Sequence, residues 1–117
     1  VVAGDGGIMM NIGELETAVR LKLDLVIVVV NDSGYGMIKW KQGGMNLPDY
    51  GLSFSNPDFI KLAESFGAHG YRVEKTEEFQ PLLEKVSNES GVHIIDVPID
   101  YSENAMLIGD NLKNRTT

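Results

Sequence analysis

The apolar positions of this chain fall into short blocks whose period switches along the sequence between strand-like and helical. Leu25 to Val30 is an unbroken apolar run dominated by β-branched residues, the pattern of a strand covered on both faces in a parallel sheet. Val1 to Ala3 reads as the end of another buried strand, Val92 to Ile99 as a third, and His69 to Val73 alternates as a fourth. Between them, Ile8, Ile12, Leu15, Ala18 and Val19 recur at helical spacing and predict one helix from Ile8 to Leu21. Asn56-Pro57 predicts a helix start, with Asn56 as cap and Pro57 in the first helical position, and a stop at Gly67. Thr76 to Ser87 is helical in pattern, its regular part expected to begin at Pro81. Met37 to Gln42 is expected as a short helix, and Gly43 to Ser55 as a loop.

Strand and helix therefore alternate, so the expected fold class is α/β, a parallel sheet flanked by helices. Residues 1–99 form the expected domain, and 100–117 a polar tail over a surface. A chain of 117 residues is long enough for one such domain, burying roughly 65% of its unfolded surface. The hydrophobic share of 43% argues against disorder.

Charge and cysteine usage narrow the chemistry. With no cysteine, neither disulfides nor thiolate metal sites are available, and a metal has to bind oxygen or histidine. The net charge of −7 disfavours a nucleic-acid partner, and it implies that an anionic ligand arrives with a cation. The apolar run is far short of the roughly 20 residues of a membrane span, and no signal peptide is evident. The expectation is a cytoplasmic protein with no membrane partner. The chain enters a strand at Val1 without an initiator methionine, as expected of a piece of something longer, whether processed or cut at a domain edge.

In a parallel sheet, ligands sit beyond the carboxyl ends of the strands. Two turns leave such ends, after Ala3 and after Val30, one carrying Asp5 and the other Asn31-Asp32. Gly4, Gly6 and Gly7 let backbone approach a ligand closely, and the helix start that follows offers N–H groups and a positive dipole end to phosphate oxygens. Alone, such a turn is common. Asp5, Asp32 and a turn carbonyl would give a hard cation three protein oxygens, and such a cation would offset the repulsion between the carboxylates and a phosphate.

Gly4-Asp5-Gly6, then 24 residues, then Asn31-Asp32 resembles the motif of thiamine-diphosphate enzymes that begins GDG and ends NN. The loop Asn31-Asp32-Ser33-Gly34-Tyr35-Gly36-Met37 is similar too. The resemblance implies a thiamine diphosphate and Mg²⁺ site, with Asp5, Asp32 and the Gly34 carbonyl as metal ligands. Gly6 and Gly7 then lie against the diphosphate with Gly4, and Met37 and Ile38 line the pocket unless they simply pack into the core. Asp32 departs from the usual Asn and adds a negative charge; Asn31 is expected to shape the turn. Gly13 to Arg20, Gly34 to Trp40, Ala63 to Ala68 and Ile94 to Asn104 resemble acetolactate synthases, the last stretch most of all the catabolic, flavin-independent kind. That implies condensation of two pyruvates to 2-acetolactate and CO₂. In that family the activating glutamate sits on a pyrimidine-binding domain, usually of a neighbouring subunit, so a homo-oligomer is implied, no catalytic side chain is assigned in this chain, and the isolated piece is expected to be inactive. His69 and His93 are read as structural, and Lys39, Trp40 and Lys41 as solvated or interface residues without an assigned role. Two rival readings stand beside this one: another thiamine-diphosphate-dependent 2-keto acid decarboxylase or carboligase, and a non-enzymatic phosphate-binding α/β module.

Overall fold

The computed structural model describes residues 1–101. Its strands are β1 (Val2–Gly4), β2 (Leu25–Asn31), β3 (His69–Arg72) and β4 (Val92–Pro98). They form one sheet in the order β1-β2-β4-β3, with every pairing parallel. The helices are α1 (Asp5–Met9), α2 (Glu14–Arg20), α3 (Gly36–Gly44), α4 (Phe59–Ser65) and α5 (Thr76–Val86). The expected fold class is the one observed. Among the described residues no helix is long and apolar enough to cross a membrane.

Side chains alternate across a strand, and the two central strands use that alternation to bury both faces. Ile27, Val29 and Ile94 join Leu15 and Ala18 of α2 and Phe59 and Ala63 of α4 in one cluster. Val28 and Ile95 join Val86 of α5, with Phe79, Leu82 and Leu83 packed alongside, in the other. A one-residue slip of β2 would exchange the two sets, so the register Val28↔Ile95 and Val29↔Asp96 is strongly fixed. The apolar run at Leu25 to Val30 is uninterrupted for this reason.

Three local expectations change. The helix foreseen from Ile8 to Leu21 is two helices joined by a tight turn. Met10, Asn11, Glu14 and Leu15 donate to carbonyls three residues back rather than four, which is 3₁₀ winding. Asn11 and Gly13 are poor helix formers placed at the break, while Ile8, Ile12 and Leu15 still reach the same core. Asn56 does not cap α4. Asp58 does, its Oδ1 accepting from the Ile60 and Lys61 N–H groups at 3.1 Å each, and Asn56 points elsewhere. Helix α5 begins at Thr76 and runs through Pro81. The Glu78 carboxylate reaches back to the Glu74 and Lys75 N–H groups at 3.0 and 3.2 Å, and the apolar face of the helix anchors on β4 and β3. The foreseen tail begins at 100, and 102–117 lie outside the described residues.

Helix α4 crosses β3 at Gly70. A Cβ on Gly70 would stand 2.5 Å from the Ile60 Cα and 2.8 Å from its carbonyl oxygen, and helix backbone cannot swing aside as a side chain can. Gly70→Ala is expected to lower unfolding stability by about 1–3 kcal/mol, the usual range for overpacking. Urea unfolding checks this, read as a lower midpoint at unchanged slope.

Candidate functional site

The parallel pairing of β1 with β2, Gly4 opposite Val30, makes both strands end at one level. The turns that leave them meet there. Gly4, Asp5, Gly6, Gly7, Asp32, Gly34, Met37 and Ile38 all line one cleft of about 270 Å³, together with Val30, Tyr35, Gly36 and Tyr101. Every site residue singled out in the sequence is thus in the same place.

Asp5 is only 2% exposed and its carboxylate is held on both oxygens. Oδ1 accepts from the Gly6 N–H at 2.8 Å. Oδ2 accepts from the Ser33 N–H at 2.7 Å and from the Asn56 side-chain amide at 2.6 Å. The Ser33 bond ties the second turn directly to the first. It relies on Ser33 adopting φ 54°, a left-handed conformation that a non-glycine residue holds only at some cost and that collects at functional sites. Asp32 stands across the cleft, Oδ1 accepting from the Gly34 N–H at 3.2 Å, while its other oxygen faces Gly36, where any side chain would collide with it. Burial and then the Asp5 charge push the Asp32 carboxyl above its ordinary 3.8.

Residues outside the motif complete the site. Asn56 bridges the turns, its Nδ2 donating to Asp5 Oδ2 and, at 2.9 Å, to Asn31 Oδ1. Sequence pattern assigned Asn56 to a helix cap, and only the fold reveals its other use. Asn31 shapes the turn, as expected, its Oδ1 also accepting from the Ser33 N–H at 3.3 Å. Its Nδ2 donates to buried Asp96 at 2.9 Å, and Asp96 in turn accepts from Arg72 at 2.6 Å. Tyr35 packs on Phe54 with ring centroids 5.0 Å apart and closes over Gly6, where a Cβ would lie 2.9 Å from its ring. Tyr101 forms a further wall, and burial followed by the Asp32 and Asp5 charges raises its hydroxyl above the ordinary value, so the phenol keeps its proton. His93 is buried at the other end of β4, stacked on His69 at 5.0 Å and on Tyr71 at 6.0 Å, and lines no part of the cleft. Lys39 pairs with Asp49 at 3.1 Å, and Trp40 is half-exposed.

The cleft's described lining holds two carboxylates and no basic side chain. Helix α1 is five residues long, so its dipole is small, and of the N–H groups at its start that of Gly6 is taken by Asp5. Among the described residues no group of three acidic or histidine side chains is gathered, so a cation beside Asp5 and Asp32 would take further oxygens from backbone, phosphate or water. Mg²⁺ is typically bound by one or two carboxylates with phosphate and water oxygens filling the rest of six positions. Asp5 and Asp32 fit that role. Gly34 lines the cleft, and the bridge from Gly34 to Ser53 is made through the Ser33 carbonyl and the Tyr35 N–H, which leaves the Gly34 carbonyl out of that bridge. A Cβ at Gly4 or Gly7 would meet nothing within 4 Å, so backbone there is open to a ligand.

Comparison with known proteins gives this arrangement its class. Residues 1–97 match the family model of the thiamine pyrophosphate enzymes, specifically their C-terminal TPP binding domain, and the chain belongs to that family; thiamine pyrophosphate is thiamine diphosphate under another name. Among individual proteins, the chain is 46% identical over 111 residues to the acetolactate synthase of Bacillus subtilis strain 168, a match covering 95% of this chain and 20% of that protein. It is 36% identical over 108 residues to the catabolic acetolactate synthase of Raoultella terrigena, covering 92% of this chain and 19% of that one. In structure it is similar to a thiamine diphosphate-dependent 4-hydroxybenzoylformate decarboxylase of Rhodococcus jostii RHA1, with TM-score 0.81, 27% identity and coverage of 87% of this chain and 20% of the other. The chain spans about a fifth of the length of these relatives.

Because the Asp32 carboxyl is raised in the fold, its ionised form is the disfavoured one. No penalty exists below pH 3.8, where it is protonated folded or unfolded, and the full penalty holds once pH exceeds the raised folded value. Asp32→Asn is therefore expected to raise the melting temperature of the metal-free protein at neutral pH and to leave the acid limb unchanged. Thermal unfolding followed against pH measures both.

Proposed function

We propose that this chain is the diphosphate- and Mg²⁺-holding part of an acetolactate synthase that condenses two pyruvates to 2-acetolactate and CO₂. The observation that carries the metal half of this reading is a cleft lined by two carboxylates and no described basic side chain, on a domain of the thiamine pyrophosphate family. Diphosphate oxygens cannot settle beside Asp5 and Asp32 unless a cation stands between them. The choice of reaction is supported by the likeness to acetolactate synthases across more than nine-tenths of the chain.

In this reading Asp5, Asp32 and the Gly34 carbonyl hold Mg²⁺, and the open backbone at Gly4 and Gly7 lies against the diphosphate with Gly6. Thiamine diphosphate, when bound, supplies the electron sink that lets a 2-keto acid lose CO₂. The chain's own share is to fix the diphosphate end and to offer apolar surface beside it through Met37 and Ile38. Both are exposed, 67% and 49%, which favours a pocket completed by further protein. We assign that role to a pyrimidine-binding domain of a neighbouring subunit in a homo-oligomer. The 117 residues alone are then expected to give no turnover with pyruvate, cofactor and Mg²⁺.

A second reading, a 2-keto acid decarboxylase, is favoured by the structural likeness to 4-hydroxybenzoylformate decarboxylase. Product analysis of the complete encoded polypeptide separates the two, acetolactate marking the first and free aldehyde the second. Titration calorimetry tests the site itself. Thiamine diphosphate is expected to bind only with Mg²⁺, and Asp5→Ala or Asp32→Ala to weaken binding more than about 100-fold, beyond the range typical of partners behind the ligands. Binding that ignores both the metal and the substitutions would point instead to a phosphate-binding module without metal chemistry.

A further inference from the structure

At the carboxyl end of the sheet a line of polar side chains runs from the surface to Asp5. Arg72 on β3 donates through Nη1 to Asp96 Oδ2 at 2.6 Å. Asp96 on β4, 1% exposed, accepts on Oδ1 from Asn31 Nδ2 at 2.9 Å. Asn31 Oδ1 accepts from Asn56 Nδ2 at 2.9 Å, and the same Nδ2 donates to Asp5 Oδ2 at 2.6 Å. Three strands and a loop contribute one link each before the line reaches Asp5.

An amide side chain is nearly symmetric in shape, so its donor and acceptor ends are distinguished only by what they face. A carboxylate opposite a guanidinium only accepts. Asp96 therefore compels Asn31 to present its NH₂ toward β4 and its oxygen toward the turn. That oxygen in turn requires Asn56 to present NH₂, and this NH₂ also meets Asp5. With Asn31 reversed, its NH₂ would face the Ser33 N–H and the Asn56 NH₂, two donors. We propose, resting on the reading of Asp5 as a metal ligand, that Arg72 and Asp96 are positioning residues. Their ion pair sets the sense of the Asn31–Asn56 amides and thereby holds Asp5 in the orientation that binds the divalent cation.

The buried end of the pair also explains why the chain keeps a costly feature. A buried ion pair is weak evidence of stabilisation, and fixing a unique arrangement is its better-attested use. Partners behind metal ligands commonly alter affinity by about 10- to 100-fold when replaced, and a link further back falls at the lower end.

The test uses the complete encoded polypeptide with Mn²⁺ as probe, its affinity in the presence of thiamine diphosphate read by electron paramagnetic resonance, and stability by urea unfolding. Asp96→Asn, which keeps shape but lets position 96 donate, is expected to weaken Mn²⁺ roughly tenfold, as is Arg72→Gln, whereas Arg72→Lys stays near wild type. Val86→Ala, a cavity in the cluster on the other face of the sheet, is expected to lose stability yet keep Mn²⁺ affinity. Should Arg72→Gln fail to fold, the isosteric Asp96→Asn carries the test. The proposal is overturned if Asp96→Asn binds Mn²⁺ as wild type does, or if Val86→Ala loses affinity in proportion to stability. Wild-type protein that binds the cofactor without Mn²⁺ would instead overturn the metal reading on which the proposal stands.

Discussion

Two negative charges held close together at the end of a parallel sheet are the constraint around which this domain is organised. Left without a counter-charge, carboxylates at such range repel, and burial first and the Asp5 charge second hold the Asp32 carboxyl above its ordinary range. The fold tolerates it because Asp5 is satisfied by donors on both oxygens, and the pairing of β1 with β2, Gly4 opposite Val30, ends both strands at one level. In the proposed reading a divalent cation would offset that repulsion, and with no basic side chain in the cleft's lining among the described residues it would also be the bridge to an anion.

Support for that arrangement comes from opposite directions. Apolar packing fixes the strands. Ile27, Val29 and Ile94 face α2 and α4 while Val28 and Ile95 face α5, so neither central strand can slide without exposing both sets of side chains. Polar links then fix what the strand ends carry. The Ser33 N–H, held in a left-handed turn, and the Asn56 amide pin Asp5 from two sides, and Asn31 joins them to β4. Packing sets positions to within a strand spacing; hydrogen bonds set the orientation of individual oxygens, which is what metal coordination needs.

Much of this was legible in the sequence, and the reasons are physical. Period and β-branching in Leu25 to Val30 announced a doubly covered parallel strand, and parallel strands bring their carboxyl-end turns together, so Asp5 and Asp32 could be paired before any coordinates. Other features were not local and left no local signal. Asn56 before Pro57 carries every mark of a helix cap, and its long-range bond to Asp5 competes successfully for the same side chain while Asp58 takes over the cap. The winding between Met10 and Gly13 keeps the helical apolar spacing while breaking the helix. Nothing near Arg72 or Asp96 in sequence indicates the other, since their partnership exists only because β3 lies beside β4. Tyr101 was assigned to a tail, yet it walls the cleft.

The most direct measurement is the position of the cation itself. Crystals of the complete encoded polypeptide grown with thiamine diphosphate and Mn²⁺, with anomalous scattering recorded at the manganese edge, locate it without reference to the protein. A single peak within about 2.0–2.3 Å of oxygens from both Asp5 and Asp32, as hard-cation coordination requires, is the expected result. Cofactor bound with the metal on one of these carboxylates alone, or with no metal between them, would contradict the account at its root.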